Sequence, residues 1–143
     1  MIIKRATLEH LTDVCHIYTQ LNFKKLVVSH PNTIKQQIKD HQVYVSLDES
    51  IVSGAITLII ENESCEIKNF AIKKNYQAQG IGTQLITFAE NYAIENNATK
   101  LWCWSLKRFE AEQFYNRMGF MEQFLCRNQW FNEDCYFFGK VLQ

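Results

Sequence analysis

The chain has 143 residues, of which 47% are hydrophobic and 21% charged, and this composition fits one soluble globular domain with a single core. Lysine plus arginine equals aspartate plus glutamate at 15 each, so the balance of charge argues against a protein that coats nucleic acid. No apolar run approaches the roughly 20 residues that span a bilayer, and no signal-peptide core opens the sequence, which predicts a cytoplasmic protein without membrane contact.

The five cysteines and four histidines show no spacing typical of a metal site or a disulfide framework. The number of cysteines is odd, and no histidine pair has the helical i, i+4 spacing. We therefore expect no metal, and we expect the cysteines to be small buried side chains in a reducing compartment.

The first half of the chain predicts a strand, two helices and two further strands. "MIIKRA" reads as a strand, and Thr7 can cap a helix whose apolar residues run from Leu8 to Leu21 on one side. Pro31 lies in a predicted loop, after which Asn32 or Thr33 can cap a short second helix. "VYVSL" and "IVSGAITLII" then read as strands that a "DES" turn joins.

The second half alternates strands and helices before a closing hairpin. "CEIKNFAI" is a strand, and a glycine-containing stretch opens a helix to about Asn96. "TKLWCWS" is a strand, "LKRFEAEQFYNRM" a helix that Gly119 ends, and "MEQFLCRNQW" and "CYFFGKVL" a hairpin around "FNED". The order β-α-α-β-β-β-α-β-α-β-β predicts an α+β fold. Its sheet of about seven strands is mostly antiparallel, with a locally parallel pair at the single helical crossover.

The stretch "NYQAQGIGTQL" places Gly80 and Gly82 at the start of the predicted third helix. A helix N-terminus presents unpaired N–H groups, and glycines let a ligand approach them, so this pattern is typical of a phosphate site. A tight turn without a ligand is the alternative. The dinucleotide fingerprint fails because Leu85 replaces its third glycine, and the P-loop pattern is absent.

A third pattern fits. Q-x-x-G-x-G, as Gln77 to Gly82, follows a strand ending "NFAI", and "AEQFYNRMGF" follows about 30 residues later. The combination resembles the GNAT superfamily of acetyl-CoA-dependent N-acetyltransferases. The resemblance covers Cys65 to Phe120 closely, and the order of elements extends it to one domain over residues 1–143.

The resemblance implies where acetyl-CoA binds. The pantetheine arm would run beside the strand before the loop, and a backbone N–H near Phe70 would stabilise the oxyanion. Gln79 stands where the family often has arginine, which removes a charge but no backbone donor. The implied cofactor-binding residues are Phe70, Ala71 and Ile72 for the pantetheine, and Gln77, Ala78, Gln79, Gly80, Ile81, Gly82 and Thr83 for the pyrophosphate.

The resemblance also implies two catalytic residues. Glu66 stands where some family members carry a catalytic base, although it could be an exposed strand carboxylate, and Glu61 is the runner-up. Tyr115 aligns with the tyrosine that often serves in the family as the acid for the departing thiolate, although it could serve packing alone. If Phe114 and Met118 point inward, Tyr115 is expected at the edge of that packed face.

The resemblance implies transfer of an acetyl group to a primary amine, by direct attack within a ternary complex. We expect the amine to belong to a small molecule. A lysine or N-terminus of a protein is an alternative, as is a non-catalytic acyl-CoA-binding module. A homodimer is possible. The candidate residues for the wall of the acceptor site are Tyr18, Phe23, His41, Trp104 and Trp130.

Overall fold

The protein is an α+β chain whose elements follow the predicted order. The computed structural model describes residues 1–142. The strands are β1 (Ile2–Arg5), β2 (Val43–Asp48), β3 (Ile51–Glu61), β4 (Ser64–Ile72), β5 (Lys100–Leu106), β6 (Glu122–Trp130) and β7 (Glu133–Val141). The α-helices are α1 (Leu11–Tyr18), α2 (Pro31–Lys39), α3 (Ile81–Glu95) and α4 (Glu112–Arg117).

The seven strands form one mixed sheet in the order β1-β2-β3-β4-β5-β7-β6. β1 and β2, β2 and β3, β5 and β7, and β6 and β7 run antiparallel. β4 and β5 run parallel, with Ser64 opposite Lys100 and Glu66 opposite Trp102. A parallel neighbour requires a crossover, which α3 supplies. The predicted fold class is therefore confirmed.

By its internal contacts the chain divides into two compact units. The first comprises Met1–Leu58 and Asn69–Phe88, and the second comprises Ile59–Lys68 and Ala89–Gln143. The prediction of a single domain over residues 1–143 stays a prediction. No helix within residues 1–142 has the length and apolar character needed to cross a membrane.

The core of the first unit is built on α1, α2 and β2. Val43, Val45 and Leu47 alternate along β2 and belong to this core, as the two-residue period of a strand requires. The intervening Tyr44 meets Phe88 of α3, with ring centroids 4.9 Å apart. β2 is thus covered on both faces. The helices contribute Val14, Ile17, Tyr18, Ile34 and Ile38.

Gly54 of β3 lies at a closely packed point of the first unit. A Cβ built on it would lie 2.9 Å from Ile72 Cδ1, 2.9 Å from Ser46 Oγ and 3.0 Å from Leu85 Cδ1. These atoms belong to β4, β2 and α3. The absence of a side chain at Gly54 therefore lets three elements approach the same point of β3.

The core of the second unit lies on β5, β7 and the segment around α4. Leu101, Cys103 and Leu106 of β5 are buried, as strand alternation at its start predicts. Cys103 lies directly opposite Phe138 of β7, and Phe138 has no exposed surface. Lys140 extends from β7 to an ion pair with Glu90 of α3, with Nζ and Oε2 2.8 Å apart.

Two predicted boundaries are wrong. Pro31 is the first residue of α2, with His30 before it, and neither Asn32 nor Thr33 caps the helix. Proline suits this position because its missing N–H would have no intrahelical acceptor. α4 spans only Glu112–Arg117, because Glu110 takes a left-handed conformation with φ of 52° and separates it from a 3-10 turn.

Candidate active site

The glycine-containing loop of the first unit leads from β4 to α3. A 3-10 turn over Lys74–Tyr76 follows β4, and α3 begins at Ile81. The first backbone bond of the helix runs from the Gln84 N–H to the Gly80 carbonyl over 3.1 Å. The N–H groups of residues 81–83 precede that bond and have no intrahelical acceptor. Together with the positive end of the helix dipole, they suit an anion.

The backbone of this loop leaves room at the helix N-terminus. Gly80 has a φ of 84°, and a Cβ built on it would meet no heavy atom within 4 Å. Ala78 also takes a left-handed conformation, with a φ of 62°. Sequence reasoning missed this strained residue, which costs about 1 kcal/mol or more. The loop is thus held in a shape that its sequence alone does not favour.

Side-chain amides hold the loop against the end of β4. Gln77 Nε2 donates to the Ile72 carbonyl over 3.1 Å and to Gln20 Oε1 over 2.9 Å. Gln20 Nε2 donates to the same carbonyl over 2.9 Å, and Gln79 Nε2 donates to the Asn75 carbonyl over 3.3 Å. The side-chain amides of Gln77 and Gln79 are thus engaged within the protein. No sequence motif indicated Gln20.

The end of β4 presents the three residues predicted to run beside the pantetheine. Ala71 is buried, whereas Phe70 and Ile72 are half-buried. Because two glutamine amides already bond the Ile72 carbonyl, that acceptor is occupied. Any backbone pairing with a pantetheine amide would therefore use the other peptide groups of residues 70–72.

Glu66 lies in the second unit, on β4. It is half-buried and directly opposite Trp102 of the parallel strand β5. Burial, followed by the charge of Glu66, raises the pKa of Cys65 to about 12. The runner-up Glu61 is exposed at the last residue of β3. Glu66 is therefore the more sheltered of the two candidate carboxylates.

Tyr115 is buried at 5% exposure, and its ring is packed on three sides. It stacks on Phe138 with centroids 4.6 Å apart and an interplanar angle of 21°. It meets Phe120 and Phe114 edge-on, at 5.0 Å and 5.2 Å. The expected position at the edge of the packed face is wrong. Phe114 is half-buried, and Tyr115 is the residue of α4 that points into the core.

The Tyr115 hydroxyl interacts with the Cys103 thiol. Burial first, and then interaction with Cys103, raises the pKa of Tyr115 well above its ordinary value. Burial likewise raises the pKa of Cys103 to about 12, although the hydrogen bond from Tyr115 lowers it. The phenol therefore holds its proton firmly, which suits a hydrogen-bond donor better than an acid that gives its proton away. No sequence pattern indicated Cys103.

The five candidate wall residues occupy different environments. Tyr18 is fully buried, and its hydroxyl lies 2.8 Å from Thr57 Oγ1, so it serves the core rather than a wall. His41 is exposed at a turn, with a φ of 60°. Phe23, Trp104 and Trp130 are half-buried. Trp104 and Trp130 contact each other, with centroids 6.0 Å apart.

A charged recess of about 640 Å³ lies beside the β6–β7 hairpin of the second unit. Arg108 Nε and Glu133 Oε1 pair there over 3.1 Å, and the Asn128 N–H donates to Asp134 Oδ1 over 3.0 Å. One cation and one anion of the recess are thus paired with each other. The remaining lining residues are Lys107, Glu110, Glu112, Arg127 and Asn132.

Residues 1–142 contain no group of three or more side chains that could hold a metal ion. All five cysteines are free thiols. The first unit offers a helix N-terminus, and the second offers a half-buried carboxylate and a buried phenol.

Residues 39–122, more than half of the chain, match the family described as "Acetyltransferase (GNAT) domain". The chain belongs to the GNAT acetyltransferase family. The match includes the glycine-containing loop of α3, Glu66 and Tyr115. The predicted family and enzyme class, an acetyl-CoA-dependent N-acetyltransferase, are therefore confirmed.

Solved structures of GNAT proteins share the fold. Ard1 from Thermoplasma volcanium is 16% identical with a TM-score of 0.87, covering 99% of this chain and 97% of Ard1. The ribosomal-protein-S18-alanine N-acetyltransferase from Escherichia coli is 17% identical with a TM-score of 0.84, covering 99% and 94%. PaiA N-acetyltransferase from Thermoplasma acidophilum, in complex with coenzyme A, is 14% identical with a TM-score of 0.79, covering 98% of each chain. At these identities the likeness concerns the GNAT fold.

Proposed function

We propose that the protein transfers the acetyl group of acetyl-CoA to a primary amine of a small molecule, by direct attack within a ternary complex. The observation that carries the proposal is the loop before α3. Its glutamine amides bond within the protein, while the N–H groups at the start of the helix keep no intrahelical acceptor. Backbone donors of this kind suit a pyrophosphate.

The loop has the shape that such a ligand needs. A Cβ at Gly80 would fill space that no protein atom occupies within 4 Å. The proposed cofactor-binding residues are those of the loop, Gln77 to Thr83, and of the strand end, Phe70 to Ile72. Acetyl-CoA supplies an acetyl group activated as a thioester, and the residues of this chain bind and orient it.

Glu66 is proposed as the general base. Most alkyl amines carry an extra proton at pH 7, so a base must remove it before nitrogen can attack a carbonyl carbon. The half-buried Glu66 carboxylate can accept that proton directly or through water. The nitrogen–carbon bond then forms, and the nitrogen loses its second proton to solvent. The carbon–sulfur bond breaks, and the sulfur leaves as a thiolate.

Tyr115 is proposed to stabilise that thiolate through its hydroxyl. Because its pKa is raised well above the ordinary value, we propose that Tyr115 donates a hydrogen bond and keeps its proton. A hydrogen bond to a charged acceptor contributes about 1.5–3 kcal/mol. The thiolate then takes its proton from solvent, and Tyr115 needs no reprotonation between turnovers.

Acetylation of a protein N-terminus is the second candidate. The likeness to the S18-alanine N-acetyltransferase, at 17% identity over 99% of this chain, motivates it. Both candidates involve acetylation of an amine and differ in whether that amine belongs to a small molecule or to a protein N-terminus. A homodimer stays a prediction.

The test is release of thiol from acetyl-CoA in the presence of a panel of amines. The panel contains amino acids, polyamines, aralkylamines, aminoglycosides, and short peptides with free or blocked N-termini. We expect at least one small amine to accelerate thiol release and to gain the mass of one acetyl group. Acetylation of peptides alone would replace the first candidate with the second. If acetyl-CoA binds but no amine accelerates thiol release, both candidates fail.

A further inference from the structure

Four aromatic side chains form a continuous row on one face of the second unit. This aromatic row consists of Trp102 and Trp104 of β5, Phe137 of β7 and Trp130 at the end of β6. All four are half-buried, unlike the core residues on the opposite face. The row contains all three tryptophans of the chain.

The rings contact one another in sequence along the row. Trp102 stacks on Phe137 with centroids 5.7 Å apart and an interplanar angle of 22°. Trp104 meets Phe137 edge-on at 5.3 Å, and Trp130 meets Trp104 edge-on at 6.0 Å and 76°. Trp104 and Trp130 thus stand nearly at right angles and form a corner.

The sequence supports this arrangement at Gly139, which lies opposite Trp102 on β7. A Cβ on Gly139 would lie 2.9 Å from the Phe137 ring. A larger residue would therefore push Phe137 out of the row. The glycine position also brings Lys100 and Glu122 close to that ring.

Phe137, an interior ring of the row, already has a cation beside it. Lys100 Nζ lies 5.3 Å from the centroid of Phe137 and forms an ion pair with Glu122. A cation over an aromatic face is attracted by the negative charge of the ring's π-system, and tryptophan attracts it most. Beyond Phe137, the indoles of Trp104 and Trp130 offer such a surface.

Glu66 shares this face. It is the register partner of Trp102 across β4 and β5, and directly opposed residues of neighbouring strands project to the same side of a sheet. Cys65 and Ile67, its neighbours on β4, are buried on the opposite side. The proposed general base and the aromatic row therefore lie on the same side of the strands.

We propose that the aromatic row binds the acyl acceptor, and that this acceptor is a primary amine carried on an apolar, preferably aromatic, body. The corner of Trp104 and Trp130 receives the apolar body, and the cationic end extends along the row toward Trp102 and Glu66, which receives the proton. This inference rests on the proposed function and adds the class of amine. The same chemistry occurs in free aralkylamines and in peptides with an aromatic N-terminal residue.

The apolar requirement follows from the surface that the row presents. A ligand ring that covers these half-buried rings binds favourably, because it buries apolar surface and makes ring–ring contacts. A diamine such as putrescine offers charge without that surface, and an alcohol such as 2-phenylethanol offers the surface without charge. An amine that has both features, such as 2-phenylethylamine, is expected to bind about tenfold tighter than either.

Tryptophan fluorescence tests binding separately from turnover, because every tryptophan lies in the row. The protein is titrated with 2-phenylethylamine, 2-phenylethanol, putrescine and a peptide starting with phenylalanine, without acetyl-CoA and again with desulfo-CoA. We expect the amines with aromatic bodies to change the emission at the lowest concentrations. The peptide and its N-acetylated form distinguish a protein substrate from a free amine.

Variants then locate the site. Trp104→Leu removes the ring, and Trp104→Phe keeps a smaller one in case the first variant folds poorly. Phe109→Leu is the control, since Phe109 is an exposed aromatic residue outside the strands. For the best amine we expect Trp104→Leu to raise KM about tenfold with the KM for acetyl-CoA unchanged, Trp104→Phe to have a smaller effect, and Phe109→Leu none.

The outcomes separate this inference from the proposed function. If putrescine is acetylated as well as 2-phenylethylamine and Trp104→Leu alters neither KM, the inference falls while the proposed function stands. If aralkylamines bind the row with the predicted preference but none is acetylated, the binding site stands and the proposed function fails. Equal binding of 2-phenylethylamine and 2-phenylethanol would also overturn the inference, because charge would then play no part.

Discussion

The loop before α3 and the surroundings of Tyr115 are opposite kinds of site. The loop lies on the surface of the first unit and offers backbone N–H groups, while its glutamine side chains bond within the protein. Tyr115 lies inside the second unit and offers one hydroxyl on a ring that three other rings hold. A site built from backbone N–H groups is sensitive to changes in backbone conformation and less so to the identity of its side chains. A site built on one side chain is sensitive to the loss of a single atom.

The largest expected effect comes from changing the shape of the backbone site. Gly82→Asp places a side chain and a negative charge beside the N–H groups of the first turn of α3, where a pyrophosphate would lie. We expect acetyl-CoA to stop raising the Tm of the variant, while the apo variant remains folded. Thermal denaturation with and without acetyl-CoA measures both quantities.

The matched control for this variant is Gln84→Ala, which removes an exposed side chain from the first turn of α3 and leaves every backbone donor. Its stabilisation by acetyl-CoA should stay close to that of the wild type. If Gly82→Asp is stabilised as strongly as the wild type, the pyrophosphate does not bind at this loop.

The next largest effect is expected at Glu66. Glu66→Gln keeps the shape and removes the basic oxygen, so kcat should fall by roughly 10²-fold or more, the usual scale of general-base catalysis. The affinity for acetyl-CoA should not change. The acid limb of the pH–rate profile should shift or vanish, because the group that must be deprotonated is gone.

Glu61→Gln serves as the comparison, since Glu61 is exposed at the end of β3. A loss of kcat in Glu61→Gln with full activity in Glu66→Gln would transfer the role to the runner-up. Full activity in both variants would indicate a base supplied by water.

A smaller effect is expected at Tyr115. Tyr115→Phe removes the oxygen and keeps the stacked ring, so kcat should fall roughly tenfold to a hundredfold, the value of one hydrogen bond to a charged acceptor. The Tm and the affinity for acetyl-CoA should change little. The loss should shrink for an acyl donor with a more acidic thiol, which needs less help to leave. A variant that loses stability but keeps full turnover would assign the hydroxyl to structure alone.

The smallest effect is expected at Cys103, whose thiol interacts with the Tyr115 hydroxyl. The pKa of Cys103 is raised from 9.0 to about 12, so the folded state favours the neutral thiol. The resulting stabilisation is complete below pH 9 and is lost as the pH rises toward 12. Cys103→Ala should therefore show a smaller decline in Tm between about pH 8 and about pH 10.5 than the wild type. Equal declines would mean that Cys103 does not contribute to the alkaline loss of stability.

The order of elements could be predicted because hydrophobic period and turn residues act locally. The parallel β4–β5 pair followed from the crossover through α3. The predicted start of α2 at Asn32 or Thr33 is wrong, because a proline breaks a helix at most positions but suits the first position of a helix, where Pro31 lies. The length of α4 depended on a left-handed Glu110, which is a conformation that glutamate rarely adopts.

In the candidate site, too, local features could be predicted and features that depend on tertiary contacts could not. The anion-binding loop could be predicted because glycines at a helix start act through their own backbone. The depth of Tyr115 could not, since it is set by Phe138, which is distant in sequence and arrives through the β5–β7 pairing. The bonds from Gln77 and Gln20 to the Ile72 carbonyl likewise depend on three segments meeting. Which glutamine serves the ligand and which serves the fold is a tertiary property.

Gly54 offers a means of controlling this protein in a living cell. A single methyl group there would press on Ile72, Ser46 and Leu85 at once, so Gly54→Ala would weaken the packing of three elements without touching either proposed catalytic residue, Glu66 or Tyr115. Overpacking of this kind typically costs about 1–3 kcal/mol, which is a large fraction of the free energy of unfolding of a native protein. The variant can therefore fold at low temperature and unfold at a higher one. Gly54→Ala is therefore a candidate temperature-sensitive allele, with which the enzyme could be switched off by warming a culture and its missing acetylated product identified by mass.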